Sequence, residues 1–554
     1  MEKTITVSLD GVRQSFADGV MVADVVRRLK PEAGRTVLAA MRGGECMELT
    51  ETLHADTALQ SVTYADEEGR RIYERSLRFL FLLALRRLYP TWQVRVLNSV
   101  GYGVYLQAVG RDMTHEQALL LEKDMRELIE QDLPFQKSIW RREDAIRYFE
   151  EVGQHSTAQL LRDRPSDTIA MYTIGEMHDY YYGAMLPSTG YLRVFELKSH
   201  FPGLVIQYPA PQDPEIPALY MPRPKFLRVF TQSRKWCDIL GVSTAWELND
   251  MIRAGRLREF IRVNEALQDK SIAHIADEIV QRGARIVLIF GPSSSGKTTF
   301  CNRLAVHLRV LGLKPKQISL DDFYRDRDTL PVEEDGKPDL EHVEALDVDL
   351  LAQCLEGLMG GKRVEMPRFD FATATRSKET VPMEVSSDEP LLVEGIHALN
   401  GRITSQLPEQ LTYGVYVSAL PCINLDDHNR IRTTDVRLLR RIVRDASFRN
   451  TPPEKTIDMW PKVRLGEERW VFPNQERADV MFNTSLHYEL PLLKMQAYDA
   501  LRHVRPEQPE YLIARRLLKI LNYFAPVTPD VLSEVPPLSI LREFIGDCSF
   551  YDRH

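Results

Sequence analysis

Cysteine is scarce in this chain, and its positions form no recognisable pattern. The six cysteines are scattered without any C-x-x-C spacing, so neither a disulfide framework nor a zinc site is predicted. No run of 18 apolar residues occurs, and we therefore expect no membrane span. The first residues, Met1 to Thr4, do not begin an apolar signal core, which favours a cytoplasmic location.

Basic charge is not in excess either. The 71 lysines and arginines are outnumbered by 79 aspartates and glutamates, which gives a net charge of −8. The whole chain therefore has no general attraction to nucleic acid, although a local basic face is compatible with these totals. With 44% hydrophobic and 27% charged residues among 554 positions, the composition is typical of a soluble globular protein with three or four domains.

The most informative segment that is present predicts a phosphate-binding loop. Residues 291–298 read G-P-S-S-S-G-K-T and fit the pattern G-x-x-x-x-G-K-[ST] at every fixed position. The apolar run 286–290 predicts a buried strand before the loop, and helical spacing in 299–311 predicts a helix after it. A Gly/Ser-rich turn is the alternative, but it would not require this order of strand, loop, Lys-Thr and helix.

Each part of this loop has a chemical role if it binds ATP. Backbone N–H groups at the start of the helix would point at phosphate oxygens. Lys297 would neutralise the β- and γ-phosphates, and the Thr298 hydroxyl would ligate Mg²⁺. The predicted ATP-binding residues are Gly291, Pro292, Ser293, Ser294, Ser295, Gly296, Lys297, Thr298 and Thr299.

Two later strand predictions end in acidic residues. The run 317–320 is followed by Asp321 and Asp322, and the run 390–393 is followed by Glu394. Because the carboxyl ends of parallel strands share the ligand edge of a sheet, Asp321 could accept the proton of an attacking hydroxyl. Asp321 and Glu394 could also hold Mg²⁺ together with Thr298. A helix-capping Asp pair and a plain strand-end acid are the alternatives.

The segment 435–445 predicts a basic amphipathic helix. Its arginines recur at three- and four-residue spacing. Such a helix can close over a triphosphate and neutralise charge in the transition state. A solvated charged face is the usual alternative, and the nearby phosphate loop favours the lid.

In their order along the chain, these segments resemble the uridine kinase and phosphoribulokinase family. That family shows a phosphate loop, an S-x-D-x-F-Y segment, an acidic-His-x-x-A-[FL]-D segment, a Y-D-F segment, an E-G-I strand and an Arg-rich lid. The counterparts here are residues 319–324, 341–347, 369–371, 394–396 and 435–445. The resemblance covers about residues 284–485. Alternating strands and helices in this half predict a doubly wound parallel sheet.

The resemblance implies a role for each matched residue. Asp321 would be the general base, and Lys297 would act with the lid arginines Arg440, Arg441 and Arg444. The acceptor would be bound by Tyr324, Glu341, Phe369, Phe371 and Arg437.

Three positions depart from the uridine kinase pattern. Glu341 replaces an Asp, Phe369 stands where the family has Tyr, and Ala374 aligns with the His that contacts uracil. The last two changes remove polar groups that recognise the base, so we expect poor discrimination for uracil or a different acceptor.

The front of the chain resembles parts of threonyl-tRNA synthetases. Residues 1–64 predict a strand, a turn at Asp10-Gly11 and a helix, and they are similar to a ubiquitin-like TGS domain. Residues 65–210 are similar to the second additional (editing) domain of threonyl- and alanyl-tRNA synthetases, through the segment 175–190 with its P-S-T-G turn.

The editing-type domain lacks the residues for its chemistry. The family's two His positions on the first helix and its Cys and His positions before the turn hold Arg75, Phe79, Tyr181 and Met185. Arg cannot act as a base near neutral pH, Phe has no lone pair and Met is a poor Zn²⁺ ligand. We therefore expect a retained scaffold without aminoacyl-tRNA hydrolysis.

These observations predict a multidomain α/β and α+β protein. The predicted units are a TGS-like domain (1–64), an editing-type domain (65–210), a Pro-rich and helical connector (211–283), a P-loop kinase domain (284–505) and a helical tail (506–554). The tail shows no chemistry of its own in the sequence.

The favoured function is ATP- and Mg²⁺-dependent phosphoryl transfer to a hydroxyl of a nucleoside or related small molecule, in a homo-oligomer away from membranes. Two alternatives remain open. One is a nucleotide-binding regulatory protein whose front half binds tRNA or another RNA, and the other is a kinase of a non-nucleoside sugar phosphate.

Overall fold

The computed structural model describes residues 3–326, 329–332, 336, 339–370, 373 and 375–551. The first unit is a mixed sheet with one helix. Its elements are β1 (Thr4–Leu9), β2 (Val12–Ala17), β3 (Val20–Met21), α1 (Val22–Leu29), β4 (Val37–Arg42), β5 (Glu45–Met47), β6 (Thr52–Leu53) and β7 (Thr57–Thr63). The strand order is β2-β1-β7-β4-β5, with β1 and β7 parallel. This is the ubiquitin-like arrangement that the sequence predicts.

The second unit is built around a long buried helix. Its elements are α2 (Glu67–Leu88), β8 (Val94–Ser99), β9 (Gly103–Ala108), α3 (His115–Glu130), β10 (Gln136–Arg141), α4 (Arg142–Glu151), α5 (His155–Arg162), β11 (Thr168–Ile174), β12 (Met177–Tyr180), β13 (Glu196–His200) and β14 (Gly203–Gln207). The sheets are ordered β10-β11-β12 and β13-β14-β9-β8, and both are antiparallel. The middle of α2 is buried on most sides, so this helix forms the core of the unit.

The connector is more helical than the sequence indicates. Its elements are β15 (Pro209–Ala210), β16 (Asp213–Pro217), α6 (Pro224–Leu240), α7 (Ala245–Arg253) and α8 (Leu257–Arg282). The Pro-rich spacing predicts an extended run through Pro224, but Pro224 is the first residue of α6. This position suits proline, because the first N–H of a helix has no partner within the helix. Helix α8 ends at Gly283, whose φ of 66° is the left-handed conformation of a C-terminal cap.

The kinase-like half is a parallel sheet with helices on its faces. Its elements before the lid are β17 (Ile286–Phe290), α9 (Lys297–Val310), β18 (Lys316–Ser319), α10 (Val348–Met359), β19 (Val364–Met366), β20 (Phe369–Asp370), β21 (Thr375–Arg376), β22 (Val381–Met383), β23 (Leu391–Glu394), α11 (Gly401–Thr404) and β24 (Thr412–Ser418). The remaining elements are α12 (Thr433–Phe448), α13 (Pro453–Gly466), β25 (Val480–Asn483), α14 (Glu489–Leu501), α15 (Tyr511–Leu521) and α16 (Arg542–Ile545).

The order of the parallel strands is β18-β23-β17-β24-β25. All five residues of β17 are buried, because strands in a sheet covered on both faces are apolar throughout. The strand β18 ends at Ser319, one residue earlier than predicted, and a 3₁₀ turn Leu320–Phe323 follows. The carboxyl ends of β17, β18 and β23 therefore lie side by side at one edge of the sheet.

The front half packs directly on the kinase-like half. One hydrophobic cluster contains Phe149 and Tyr180 of the front half together with Leu439 and Tyr523. The segment 424–432 before α12 also binds the front half, since the Asn424 side chain donates to the carbonyl of Val96 at 2.8 Å. Among the helices of the described residues, none is both long and apolar enough to cross a membrane.

Candidate active site

The predicted phosphate loop joins β17 to the N-terminus of α9. Gly291 lies so close to β24 that a Cβ at this position would come within 1.9 Å of the carbonyl oxygen of Val417. Gly296 has a φ of 84°, which disfavours other residues. Close approach to β24 therefore requires glycine at position 291, and a positive φ favours it at position 296, in agreement with the motif.

Some hydrogen-bond donors of this loop bind carboxylates, and others have no partner. The backbone N–H of Ser293 donates to Glu467 at 2.9 Å. The backbone N–H and the hydroxyl of Thr299 donate to Glu543 at 3.3 and 2.7 Å. Within the described part of the chain, the buried hydroxyls of Ser294 and Ser295 have no hydrogen-bond partner. N–H and hydroxyl donors at the start of a helix can bind phosphate oxygens. Here each of these donors either binds a carboxylate, which is also an anion, or has no partner.

Lys297 lies among the acidic residues of the site. Burial, together with Arg437, lowers the pKa of Lys297, whereas the charges of Glu394, Asp321 and Glu543 raise it. Its ammonium group donates to the carbonyl of Pro292 at 3.0 Å. The Lys297 ammonium group therefore lies close enough to Glu394, Asp321 and Glu543 to interact with their charges.

Glu394 is the carboxylate beside the loop. It accepts a hydrogen bond from the Thr298 hydroxyl at 3.1 Å. Burial raises the pKa of Glu394 to about 7, and the charges of Asp321 and Glu543 add to this, while Lys297 and the Thr298 hydrogen bond oppose it. Such a group gives up its proton readily when a cation arrives.

Asp321 lies in the 3₁₀ turn that follows β18, and its side chain is exposed. The surrounding protein removes water from its carboxyl, and this desolvation raises the pKa of Asp321. The positive charge of Lys297 opposes the rise, the negative charge of Asp322 adds to it, and Arg449 also opposes it. The structure thus places Asp321, Lys297 and Glu394 close enough for each charge to act on the others.

These oxygens fit a magnesium ion. The Thr298 hydroxyl and the Glu394 carboxylate are adjacent, and Asp321 supplies further negative charge. Hydroxyl and carboxylate oxygens with room for phosphate and water are what Mg²⁺ prefers. In the described ranges, no group of three or more His, Cys, Asp and Glu side chains is arranged to hold a metal without other ligands.

Of the predicted acceptor residues, Tyr324 lies near Asp321, whose charge acts on it. The Tyr324 hydroxyl donates to the carbonyl of Leu340 at 3.0 Å, and its ring lies 5.7 Å from that of Phe369. Burial raises the pKa of Glu341 to about 7, with Glu467 adding to the rise and Arg441 and Lys297 opposing it. Phe371 and Ala374 lie outside the described residues.

The four arginines of α12 have different surroundings. Arg437 is buried, donates to the carbonyl of Ser293 at 2.9 Å and pairs with Glu467. Arg441 donates to the Ser293 hydroxyl at 3.0 Å. Both side chains therefore reach the phosphate loop from the predicted lid helix.

The other two arginines of α12 do not contact the loop directly. Arg440 is fully buried and donates to Glu489 at 2.7 Å and to the carbonyl of Thr484 at 2.9 Å. Arg444 donates to its neighbour Asp445 at 3.2 Å. These bonds make Arg440 a buried support of the helix, whereas Arg444 is only partly buried.

Three site residues are not indicated by the sequence patterns. Glu467 lies in a π-helical turn after α13, and Glu543 lies in the tail. Arg449 follows α12, and its charge acts on Asp321. The continuing three- to five-residue spacing of basic residues through Arg444 to Arg449 is a signal that could have found the last of them.

In the front half, the side chains of Arg75, Phe79, Tyr181 and Met185 are all buried. The Phe79 ring lies 5.3 Å from that of Tyr181, and the Ser76 hydroxyl lies 3.9 Å from the Met185 sulfur. Arg75 donates to the carbonyl of Ala184. These four side chains are therefore held by packing and hydrogen bonds within the front half.

His178 and Asp179, which are adjacent in sequence, do not interact as a pair. His178 contacts the Thr173 hydroxyl at 2.7 Å. Asp179 instead contacts His428 of the kinase-like half at 2.8 Å and accepts from the Tyr181 hydroxyl at 3.1 Å. Successive strand residues point to opposite faces, which separates the two side chains.

Comparisons with known proteins divide the chain in the same way. Residues 286–489 match the model of the Phosphoribulokinase / Uridine kinase family. The N-terminal half matches threonine–tRNA ligases. The ligase of Marinobacter nauticus is 33% identical over 190 residues, and that of Nitrosomonas europaea is 30% identical over 190 residues. Each match covers 34% of this chain but only 30% of the ligase, so the chain spans less than a third of the length of these relatives.

Solved structures also resemble the kinase-like half. A possible uridine kinase from Bacillus stearothermophilus has a TM-score of 0.27 and 21% identity, over 38% of this chain and 97% of that chain. D-glycerate 3-kinase from Cryptococcus neoformans var. grubii has a TM-score of 0.23 and 18% identity, over 45% and 87%. The family match confirms the resemblance of residues 286–489 to the Phosphoribulokinase / Uridine kinase family, and the ligase matches confirm the resemblance of the N-terminal half to threonine–tRNA ligases.

Proposed function

We propose that this protein is an ATP- and Mg²⁺-dependent kinase that phosphorylates a hydroxyl of a nucleoside or a related small molecule. The observation that carries the proposal is the placement of Asp321, Lys297 and Glu394 around the end of the phosphate loop. A base, a phosphate-binding cation and a metal-binding acid at one sheet edge are the parts that phosphoryl transfer needs.

In the proposed reaction, the acceptor oxygen attacks the γ-phosphorus of ATP. A new oxygen–phosphorus bond forms, the bond from that phosphorus to the bridging oxygen of ADP breaks, and the acceptor proton passes to the Asp321 carboxylate. Lys297 and Arg441 would bind phosphate oxygens. When bound by Thr298 and Glu394, Mg²⁺ would supply further positive charge to those oxygens.

The proposed acceptor class rests on the groups beyond Asp321. The rings of Tyr324 and Phe369 could stack on a base or pack on a sugar. Glu341 could accept hydrogen bonds from sugar hydroxyls. A sugar phosphate remains the alternative acceptor. It is favoured by the positive charges of Arg441, Arg444 and Arg449, which lie near one another, with Arg449 also near Asp321.

The experiment is ATP consumption with Mg²⁺ against a panel of nucleosides, sugar alcohols and sugar phosphates. We expect one class to give acceptor-dependent turnover, and Asp321→Asn to lower it by about 10²- to 10⁴-fold while ATP still binds. Asp388→Asn, at an exposed residue near Lys314, is the matched control. Tight ATP binding without turnover on any acceptor would contradict the proposal.

A second candidate function is an RNA-linked regulator that uses ATP only as a switch. The similarity of the front half to threonine–tRNA ligases favours it, as does the contact of Arg71 in α2 with Asp435 at the start of α12. Retention of labelled tRNA on a filter, with and without ATP, tests this candidate. ATP-dependent retention combined with no acceptor turnover would favour the regulator over the kinase.

A further inference from the structure

A small cavity lined by arginines lies between the two halves of the protein. The cavity is small, with a volume of about 20 Å³, and six of its eight lining residues are arginines. They come from three segments, which are α2 of the front half, the segment before α12, and α15 of the tail. The arginines are Arg71, Arg75, Arg78, Arg430, Arg432 and Arg516.

Three of these arginines have carboxylate partners. Arg71 pairs with Glu67 at 2.7 Å and with Asp435 at 3.2 Å. Arg516 also pairs with Asp435, at 3.1 Å. Arg432 pairs with Glu74 at 2.6 Å. The local carboxylates are therefore already used by half of the cluster.

The other three arginines have no carboxylate partner among the described residues. No described carboxylate lies within 4 Å of Arg75, Arg78 or Arg430, and these residues are only 8%, 9% and 7% exposed. Their hydrogen bonds go to neutral oxygens, which are the carbonyls of Ala184 and Glu74 and the Ser99 hydroxyl. Buried guanidinium groups of this kind need an anion to offset their desolvation.

The charges of the cluster also repel one another. Burial lowers the pKa of Arg430 to about 10, and the neighbouring charges of Arg432 and Arg78 add to this. Glu74 opposes the shift without removing it. Several fork-shaped donors around an enclosed space suit a compact anion with more than two oxygens.

We propose that this cavity binds a small phosphate-type oxyanion, either free phosphate or a phosphomonoester, through Arg75, Arg78 and Arg430. The lining side chains enclose the space too closely for a nucleic-acid strand to pass through. The anion would join α2 to the residues that directly precede α12. Since α12 carries Arg437 and Arg441, which contact the phosphate loop, occupancy of the cavity would stabilise the position of that helix. The binding does not depend on the proposed kinase reaction.

The first test is calorimetric titration of the full chain with inorganic phosphate. The phosphate loop can bind the same probe, so Lys297→Met serves as the background in which the loop signal is weakened. We expect phosphate binding to persist in Lys297→Met and to weaken about tenfold or more when Arg78→Met and Arg430→Met are added. Arg402→Met, at an exposed arginine paired with Glu344, is the matched control. Unchanged binding in the Arg78/Arg430 variant, or complete loss in Lys297→Met alone, would overturn the proposal.

The second test is thermal unfolding with and without phosphate. If Arg78 and Arg430 bind phosphate and do not stabilise the phosphate-free protein, the double variant Arg78→Met with Arg430→Met should not have a lower unfolding midpoint in phosphate-free buffer. Phosphate should no longer raise the unfolding midpoint of this variant. A lower midpoint with an unchanged phosphate shift would show a purely structural role.

If the Met variant does not fold, Arg78→Lys with Arg430→Lys is the substitute, because it keeps the positive charges but removes the paired N–H donors of the guanidinium groups. A smaller phosphate shift is then expected. Binding of a short single-stranded RNA in the absence of any phosphate binding would assign the cluster to a polymer and overturn the proposal.

Discussion

Glu394 and Glu341 are the residues whose chemistry depends most on their surroundings. Each is partly buried beside other carboxylates, and the pKa of each is raised to about 7. At neutral pH the site therefore holds protons that an isolated carboxylate would have lost. The residue type alone indicates an acid at these positions, while its raised pKa follows from burial, to which the charge of Asp321 adds for Glu394 and that of Glu467 for Glu341.

The protonation of Glu394 predicts a proton release on binding Mg²⁺ and ATP. The cation needs the ionised carboxylate, so about half a proton should leave Glu394 at pH 7, and more at pH 6. Affinity should weaken as the pH falls below 7, because more protons must be displaced. Titration calorimetry in two buffers of different ionisation enthalpy measures the release.

The control for this measurement is Glu394→Gln, which cannot release a proton from this position. It should show a smaller release than the unchanged protein at each pH. Equal release in the two proteins would contradict the assignment of the raised pKa to Glu394.

At the scale of elements, the tail segment around α16 lies against the start of α9. Glu543 accepts from both donors of Thr299, and the Tyr551 hydroxyl lies 3.1 Å from the Thr299 hydroxyl. Ile540 also packs close to Gly296. The tail therefore places a carboxylate on donors that a helix N-terminus would offer to a phosphate.

This contact predicts that Glu543→Gln raises the affinity for ATP. Removing the negative charge beside the loop should strengthen binding by about 3- to 10-fold, which corresponds to about 1 kcal/mol. Fluorescence titration with a labelled ATP analogue measures the change. Glu534→Gln is the control, because Glu534 is also in the tail but pairs with Arg258 and Arg262.

Weaker binding in Glu543→Gln than in Glu534→Gln would contradict this interpretation. It would mean that the carboxylate supports the shape of the loop and does not compete with phosphate.

At the scale of the whole molecule, a buried charge pair joins the two halves. His428 precedes α12, and its ring contacts Asp179 of β12 at 2.8 Å. Burial alone would lower the pKa of His428, but Asp179 and Asp426 raise it to about 9. The folded protein therefore binds this proton more tightly than the unfolded chain, whose His has a pKa near 6.5.

The sign of this shift gives a prediction for stability against pH. The stabilisation is fully present below about pH 6.5 and is lost as the pH rises through 9. His428→Gln should therefore lower the free energy of unfolding by about 3 kcal/mol at pH 6.5, and by much less at pH 9.5. Urea unfolding of the full chain at both pH values measures the difference.

His503→Gln is the control, because His503 is exposed and its ring contacts a backbone carbonyl, that of Asp499 at 2.6 Å. It should change stability little at either pH. A loss in His428→Gln that is the same at pH 6.5 and 9.5 would mean that the His428 ring stabilises by packing and not by its charge.

Much of the phosphate-binding centre could be predicted from the sequence, because its parts are local. The loop 291–298 is continuous, and short-range patterns determine the strand before it and the helix after it. Asp321 and Glu394 follow two other strands, and the geometry of parallel sheets brings strand ends together without further information. The prediction that Phe79 and Tyr181 leave the editing-type domain without its chemistry likewise rests on residue chemistry at matched positions.

Only the tertiary structure brings together groups that are far apart in the chain. Glu543 and Glu467 reach the loop from segments about 250 and 170 positions away, and no local pattern encodes that approach. The helical period shows that 435–445 is basic, but packing decides that Arg437 and Arg441 contact the loop while Arg440 is buried against Glu489. The arginine cavity needs three distant segments at once. The sequence by itself therefore determined the chemistry carried by continuous motifs, whereas burial and long-range packing decided which charges meet and which are left without a partner.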